Sequence, residues 1–124
     1  MKIIIDVAKL NDIIDISSRF VAKNSTLPIL QNIYMKASID NTLVVRSTDM
    51  EKYIEIEAPC TTTVEWAITV NAKTFSDIIK TIDNGMIELT VDQQKQIVYI
   101  KAFWMIMINS KFYVEFWHTI FVYI

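Results

Sequence analysis

STLPILQNIYMKASIDNTLVVRSTDME, residues Ser25 to Glu51, holds the pattern on which the fold turns. A Pro-bearing loop leads into a run in which Ile33, Met35, Ala37 and Ile39 alternate with Tyr34, Lys36 and Ser38, the period-two signature of a strand with one buried face. Asp40-Asn41 supplies turn residues, Leu43 to Thr48 makes the return strand, and the stretch closes on a Thr-Asp-Met-Glu corner. A third strand runs from Tyr53 to Ala58, with Ile54, Ile56 and Ala58 on one face and Tyr53, Glu55 and Glu57 on the other.

Upstream, Lys2 to Asp6 reads as a short strand, and from Val7 the period becomes helical. Leu10, Ile13, Ile14, Ser17, Phe20 and Val21 share one side while Lys9, Asp12, Asp15, Arg19 and Lys23 fall away from it, which predicts an amphipathic helix of about four turns. Asp6 is its expected N-cap, and Asn24-Ser25 with Pro28 ends it. Downstream, Trp66 to Val70 reads as a strand and Ala72 to Ile82 as a helix that buries Ala72, Phe75, Ile78, Ile79 and Ile82. Gly85 follows the Asp83-Asn84 exit, where a left-handed cap favours glycine, and Ile87 to Val91 with Ile97 to Lys101 forms a hairpin about Asp92 to Lys95.

The order β-α-β-β-β thus occurs twice. Ala8-Lys9 and Asp12-Ile13-Ile14 in the first helix are matched by Ala72-Lys73 and Asp77-Ile78-Ile79 in the second at an offset of 64 to 65 residues, close to half the chain. This predicts two copies of one unit, about residues 1–62 and 63–110, with 111–124 as an aromatic-rich tail. The two units are expected to pair their antiparallel sheets edge to edge and to carry both helices on one face, an α+β domain.

Composition narrows the function. At 124 residues, 52% hydrophobic and 21% charged, the chain has the size and balance of one folded domain. A net charge of -2 excludes a protein that holds nucleic acid by bulk positive charge, and leaves room only for a local basic face. One cysteine, Cys60, and one histidine, His118, allow neither an intrachain disulfide nor a Cys/His zinc set, so no metal is expected and the cytoplasm fits. The N-terminal MKIIIDVAK is too short in apolar residues for a signal peptide. Gly85 is the sole glycine, so a phosphate-cradling loop is excluded and no nucleotide cofactor is expected.

Catalytic pairs are equally scarce. Asp49 and Glu51 are explained as corner residues, and Cys60 and His118 stand 58 positions apart without a third orienting group, so no catalytic residue is expected. Lys73 and Lys80, two helical turns apart, project opposite Phe75 and Ile79. With Arg19 and Lys23 they form a candidate basic surface on the helical layer, able to meet phosphates without reading bases. The plainer reading of the same residues is a solvated helix face.

Three segments in order, Ser25-Thr-Leu-Pro-Ile-Leu-Gln-Asn-Ile33, Ser47-Thr-Asp-Met-Glu51, and Thr69-Val-Asn-Ala-Lys73 with Phe75 and Asp77-Ile-Ile79, resemble the first domain of the bacterial DNA polymerase III beta subunits, the sliding clamps. The resemblance covers about residues 1–101. It implies a DNA-clamp domain and a non-enzymatic processivity factor, in which subunits of three domains close head to tail around duplex DNA and tether the replicative polymerase. Carried over to this chain, it places Lys73 and Lys80 on the basic second helix, Arg19 and Lys23 toward the hole, and Asn24 at a loop position often basic in relatives. Expected partners are duplex DNA, bound without sequence preference, and clamp subunits through edge strands. Polymerase and clamp loader follow only if further domains are supplied.

After Ala102 the family pattern gives way to FWMIMINSKFYVEFWHTIFVYI, which holds eight of the fourteen aromatics and only two charges, Lys111 and Glu115. Lys111, Glu115, Asn109 and His118 interrupt it too often for a membrane span. A last strand is expected over Trp104 to Ile108, and the shift beyond Ser110 suggests a frameshifted or truncated reading frame. The alternative function is a truncated interaction module that pairs with full-length clamp subunits.

Overall fold

The computed structural model describes residues 2–22, 27–82, 85–108 and 111–123, with side chains as far as Ala102. The order is β1 (Lys2–Asp6), α1 (Val7–Ser18), a 3-10 turn (Pro28–Gln31), β2 (Asn32–Ser38), β3 (Thr42–Thr48), β4 (Tyr53–Pro59), β5 (Thr61–Val64), β6 (Trp66–Asn71), α2 (Ala72–Lys80), β7 (Met86–Asp92), β8 (Ile97–Ile108) and β9 (Lys111–Tyr123). All strand pairs are antiparallel, in one five-stranded sheet ordered β5-β1-β7-β8-β9 and one four-stranded sheet ordered β4-β3-β2-β6.

The duplicated β-α-β-β-β order is present, but the units do not pair their sheets edge to edge as expected; two separate sheets form, and the units join by exchange of their first strands. β1 leaves its own unit to pair with β7, and β6 leaves the second unit to pair with β2. One sheet is therefore β2, β3 and β4 completed by β6, and the other is β7, β8 and β9 completed by β1, with β5 added at its edge. The register aligns Ile3 with Leu89 and Ile5 with Ile87 in one sheet, and Ile33 with Val70 and Met35 with Ile68 in the other. These residues belong to one buried cluster that also takes Leu10, Ile13 and Ile14 from α1 and Phe75 and Ile79 from α2.

Both helices start on an Asx cap directly after a strand. The Asp6 carboxylate accepts from the Ala8 and Lys9 amides at 2.8 and 3.3 Å, and the Asn71 side chain accepts from the Thr74 amide at 3.0 Å. α1 ends at Ser18, earlier than the periodicity of the sequence suggests. The Ser17 and Ser18 hydroxyls bond back to the Ile13 and Asp15 carbonyls at 2.7 and 2.9 Å, and the chain then turns, with the Ala22 amide donating to the Leu30 carbonyl. Phe20 and Val21 stay half-buried from outside the helix.

α2 ends at Lys80, short of the expected Ile82. The expected exit at Asp83-Asn84 lies outside the described residues. Gly85 is left-handed, φ 100, but stands at the entry to β7, where its carbonyl accepts from the Val7 amide at 3.0 Å. Two further differences concern strands. β5 has no counterpart in the sequence reading, because its Thr-rich run joins the sheet edge through backbone and shows no apolar alternation. β8 continues unbroken through the span expected as a separate Trp104–Ile108 strand, and residues 111–123 run beside it as β9.

Candidate nucleic-acid interface

α1 and α2 lie side by side, and their ends shape an open groove of about 480 Å³. Its lining includes Arg19 just past α1, Gln31 at the end of the 3-10 turn, Asn71 and Lys73 at the start of α2, and Ser76, Asp77 and Lys80 further along it. Three of the five expected DNA-facing residues, Arg19, Lys73 and Lys80, thus meet on one surface. Lys23 and Asn24 lie outside the described residues.

Local structure explains the placement. Arg19 is the C-cap of α1, its amide bonded to the Ile16 and Ser17 carbonyls, and Lys80 stands in the last turn of α2. Cations are favoured at both positions by the negative end of the helix dipole. Ser47 adds a tertiary clamp: its buried hydroxyl donates to the Ser17 carbonyl at 2.8 Å and so holds the end of α1 that carries Arg19 against β3.

Each cation has a carboxylate partner. Arg19 Nη2 meets Asp15 Oδ2 at 2.9 Å, Lys73 Nζ meets Asp77 Oδ2 at 3.0 Å, and Lys80 Nζ lies 3.7 Å from Asp15 Oδ1. These pairs are wet, with the Lys73 side chain 86% exposed, so each contributes about 1 kcal/mol or less. Two of them follow the i,i+4 helix spacing and were legible in the sequence once the helices were drawn. The Asp15–Lys80 contact was not, because it depends on α1 lying beside α2. Gln31, Asn71 and Ser76 were also missed as groove residues; only Asn71, as the residue before a helix, carried a sequence signal, and that signal was for capping.

The other polar candidates serve as structure. The Asp49 carboxylate accepts from the Glu51 and Lys52 amides at 2.9 and 2.7 Å, and the bond from Lys52, then that from Glu51, pushes its carboxyl below the usual value. Met50 at the tip of this corner is left-handed, φ 78, with its amide bonded to the Thr48 hydroxyl. Burial raises the Cys60 thiol above its ordinary value, opposite to the shift a nucleophile needs. Cys60 precedes β5 at one edge of the five-stranded sheet and His118 belongs to β9 at the other, so four strand spacings of about 4.8 Å, roughly 19 Å, separate their strands. Among the described residues no cluster of His, Cys, Asp and Glu could hold a metal, and no helix is long and apolar enough to cross a membrane.

The family profile described as DNA polymerase III beta subunit, N-terminal domain, matches residues 1–113. This chain belongs to that family. The match runs past Ala102, where the resemblance by motif stops. The beta sliding clamp of Rickettsia felis is 28% identical over 90 residues, which are 73% of this chain and 24% of that protein. The pol III beta structure from Caulobacter crescentus superposes with a TM-score of 0.75 at 28% identity over 82% of this chain and 27% of that one. The sliding clamp of Bacillus subtilis, at 24% identity, shares the fold with a TM-score of 0.76 over 82% of this chain and 28% of its own. The chain therefore spans about a quarter of the length of the relatives it matches. The two-helix, antiparallel α+β architecture is that of the beta clamp domains.

Proposed function

We propose that this domain serves in a sliding clamp, a DNA polymerase processivity factor, and that the groove between α1 and α2 lies on the surface that faces duplex DNA. The observation that carries the reading is the convergence of Arg19, Lys73 and Lys80 on one open groove of the helical layer, in a chain whose net charge is -2. Three exposed cations partly offset by Asp15 and Asp77 attract phosphates without binding them tightly. That suits a ring that must travel along DNA, where retention comes from enclosure and base contacts would act as brakes.

On this reading the domain performs no chemistry of its own and works as a cytoplasmic accessory to the replicative polymerase. Clamp subunits would join through the end strands of the two sheets, β4 and β6 in one and β5 and β9 in the other. Polymerase and loader would be captured by parts of the ring outside the quarter represented here. In a ring assembled with full-length subunits, Lys73→Glu combined with Lys80→Glu should weaken binding to duplex DNA and make it less salt-dependent, by up to about 0.9 in the log-log slope for each phosphate that is no longer neutralised. An unchanged salt dependence would remove both lysines from the interface. Size-exclusion of the chain with a full-length clamp tests the assembly, and a mixture that elutes as separate components counts against it.

A further inference from the structure

We infer that Asp15 is an internal counter-anion of the groove, a carboxylate that occupies the position a DNA phosphate would take between Arg19 and Lys80. This rests on the reading of the groove as the DNA-facing surface. Asp15 Oδ2 accepts from Arg19 Nη2 at 2.9 Å while its Oδ1 lies 3.7 Å from Lys80 Nζ. One carboxylate thus meets a guanidinium at the end of its own helix and an ammonium at the end of the neighbouring one. Among the described residues Asp77 pairs with Lys73 alone, within a single helix.

A carboxylate and a phosphodiester both present two oxygens that share a negative charge, and a guanidinium can donate to either in the same fork geometry. The side chains of Arg19, Lys80 and Asp15 are 69%, 53% and 39% exposed, so the ion pairs are solvated and open to exchange. When a phosphate takes Arg19 or Lys80, the freed Asp15 draws a cation back from solution. Fewer ions are then released on balance, which lowers both the affinity and its salt dependence. Asp15 also holds the two cations near each other while no phosphate is there. The result is an interaction that forms and breaks readily at successive phosphates.

The test is anisotropy titration of a labelled duplex oligonucleotide with the chain and with Asp15→Asn, Asp40→Asn and Lys80→Gln, over a series of salt concentrations starting low. Asp40 is exposed in the turn between β2 and β3, at the opposite end of β3 from the Ser47 that meets α1, so its substitution makes the same charge change away from the groove. Asp15→Asn should bind about two- to five-fold tighter than the parent at low salt, with a steeper log-log slope, while Asp40→Asn stays near the parent and Lys80→Gln binds more weakly. Circular dichroism confirms that the variants remain folded. If Lys80→Gln weakens binding but Asp15→Asn behaves like Asp40→Asn, the groove keeps its role and the counter-anion is overturned. If neither groove variant changes binding, the DNA-facing reading itself falls.

Discussion

Asp49 holds the corner between β3 and β4 by accepting from two successive backbone amides, Glu51 and Lys52, and these bonds favour its ionised form. A carboxyl whose folded-state pKa lies below the unfolded one stabilises the fold above the unfolded value, and that contribution disappears as the pH falls through the folded value. Asp49→Asn keeps an oxygen that can accept the same amides but cannot titrate. Denaturant unfolding at a series of pH values should therefore show the parent ahead of the variant near neutrality and the difference closing in the acid range below the ordinary Asp value. Parallel stability curves for the two proteins would assign the acid sensitivity to other carboxylates. That Asp49 builds a corner was readable from its company of Thr48, Met50 and Glu51; the left-handed backbone at Met50, an unusual residue for it, was not.

At the scale of elements, strands with alternating apolar residues and helices with an Asx cap were legible, because local pattern and burial agree. The end of α1 was not. Phe20 and Val21 continue the helical period and do reach partial burial, but they do so from a turn, since Ser17 and Ser18 offer their hydroxyls to carbonyls of the last turn. Arg19 is accordingly a capping residue and not part of a continuous helical face. Its position depends on Ser47, the first residue of the Ser47–Glu51 segment, whose buried hydroxyl reaches the Ser17 carbonyl from β3. Ser47→Ala removes one donor from that carbonyl, which keeps the Phe20 amide at 3.1 Å, and should cost about 0.5–1.5 kcal/mol in denaturant unfolding. The same variant should weaken binding to duplex DNA modestly at low salt, through a looser α1 end. A fully retained stability would mean that the Phe20 amide satisfies the carbonyl alone and that Ser47 does not anchor the helix.

The whole molecule depends on an exchange no linear pattern could reveal. Two units were visible in the sequence because the element order and helix spacing repeat, but period and propensity describe a strand without saying which strand it joins. β1 inserts Ile3 and Ile5, 0% and 1% exposed, beside Leu89 and Ile87 of the other unit. β6 returns the exchange with Ile68 and Val70 beside Met35 and Ile33. Burying a side chain of this kind contributes about 1.5–3 kcal/mol, and each unit alone would leave these side chains in water and expose a sheet edge. The combined cost is comparable to the whole stability of a small domain. A chain cut at Glu65, between β5 and β6, should thus give two fragments that are unfolded or aggregated apart and that recover native circular dichroism when mixed. The uncut chain should unfold in a single transition, coincident by circular dichroism and intrinsic fluorescence, because neither half has a complete sheet to keep. Two resolved transitions, or a fragment that folds alone, would show that the exchanged strands are an embellishment of independently stable units. The groove would be affected in the same way: Arg19 comes from one unit and Lys73 and Lys80 from the other, so the surface exists only when the exchange is complete.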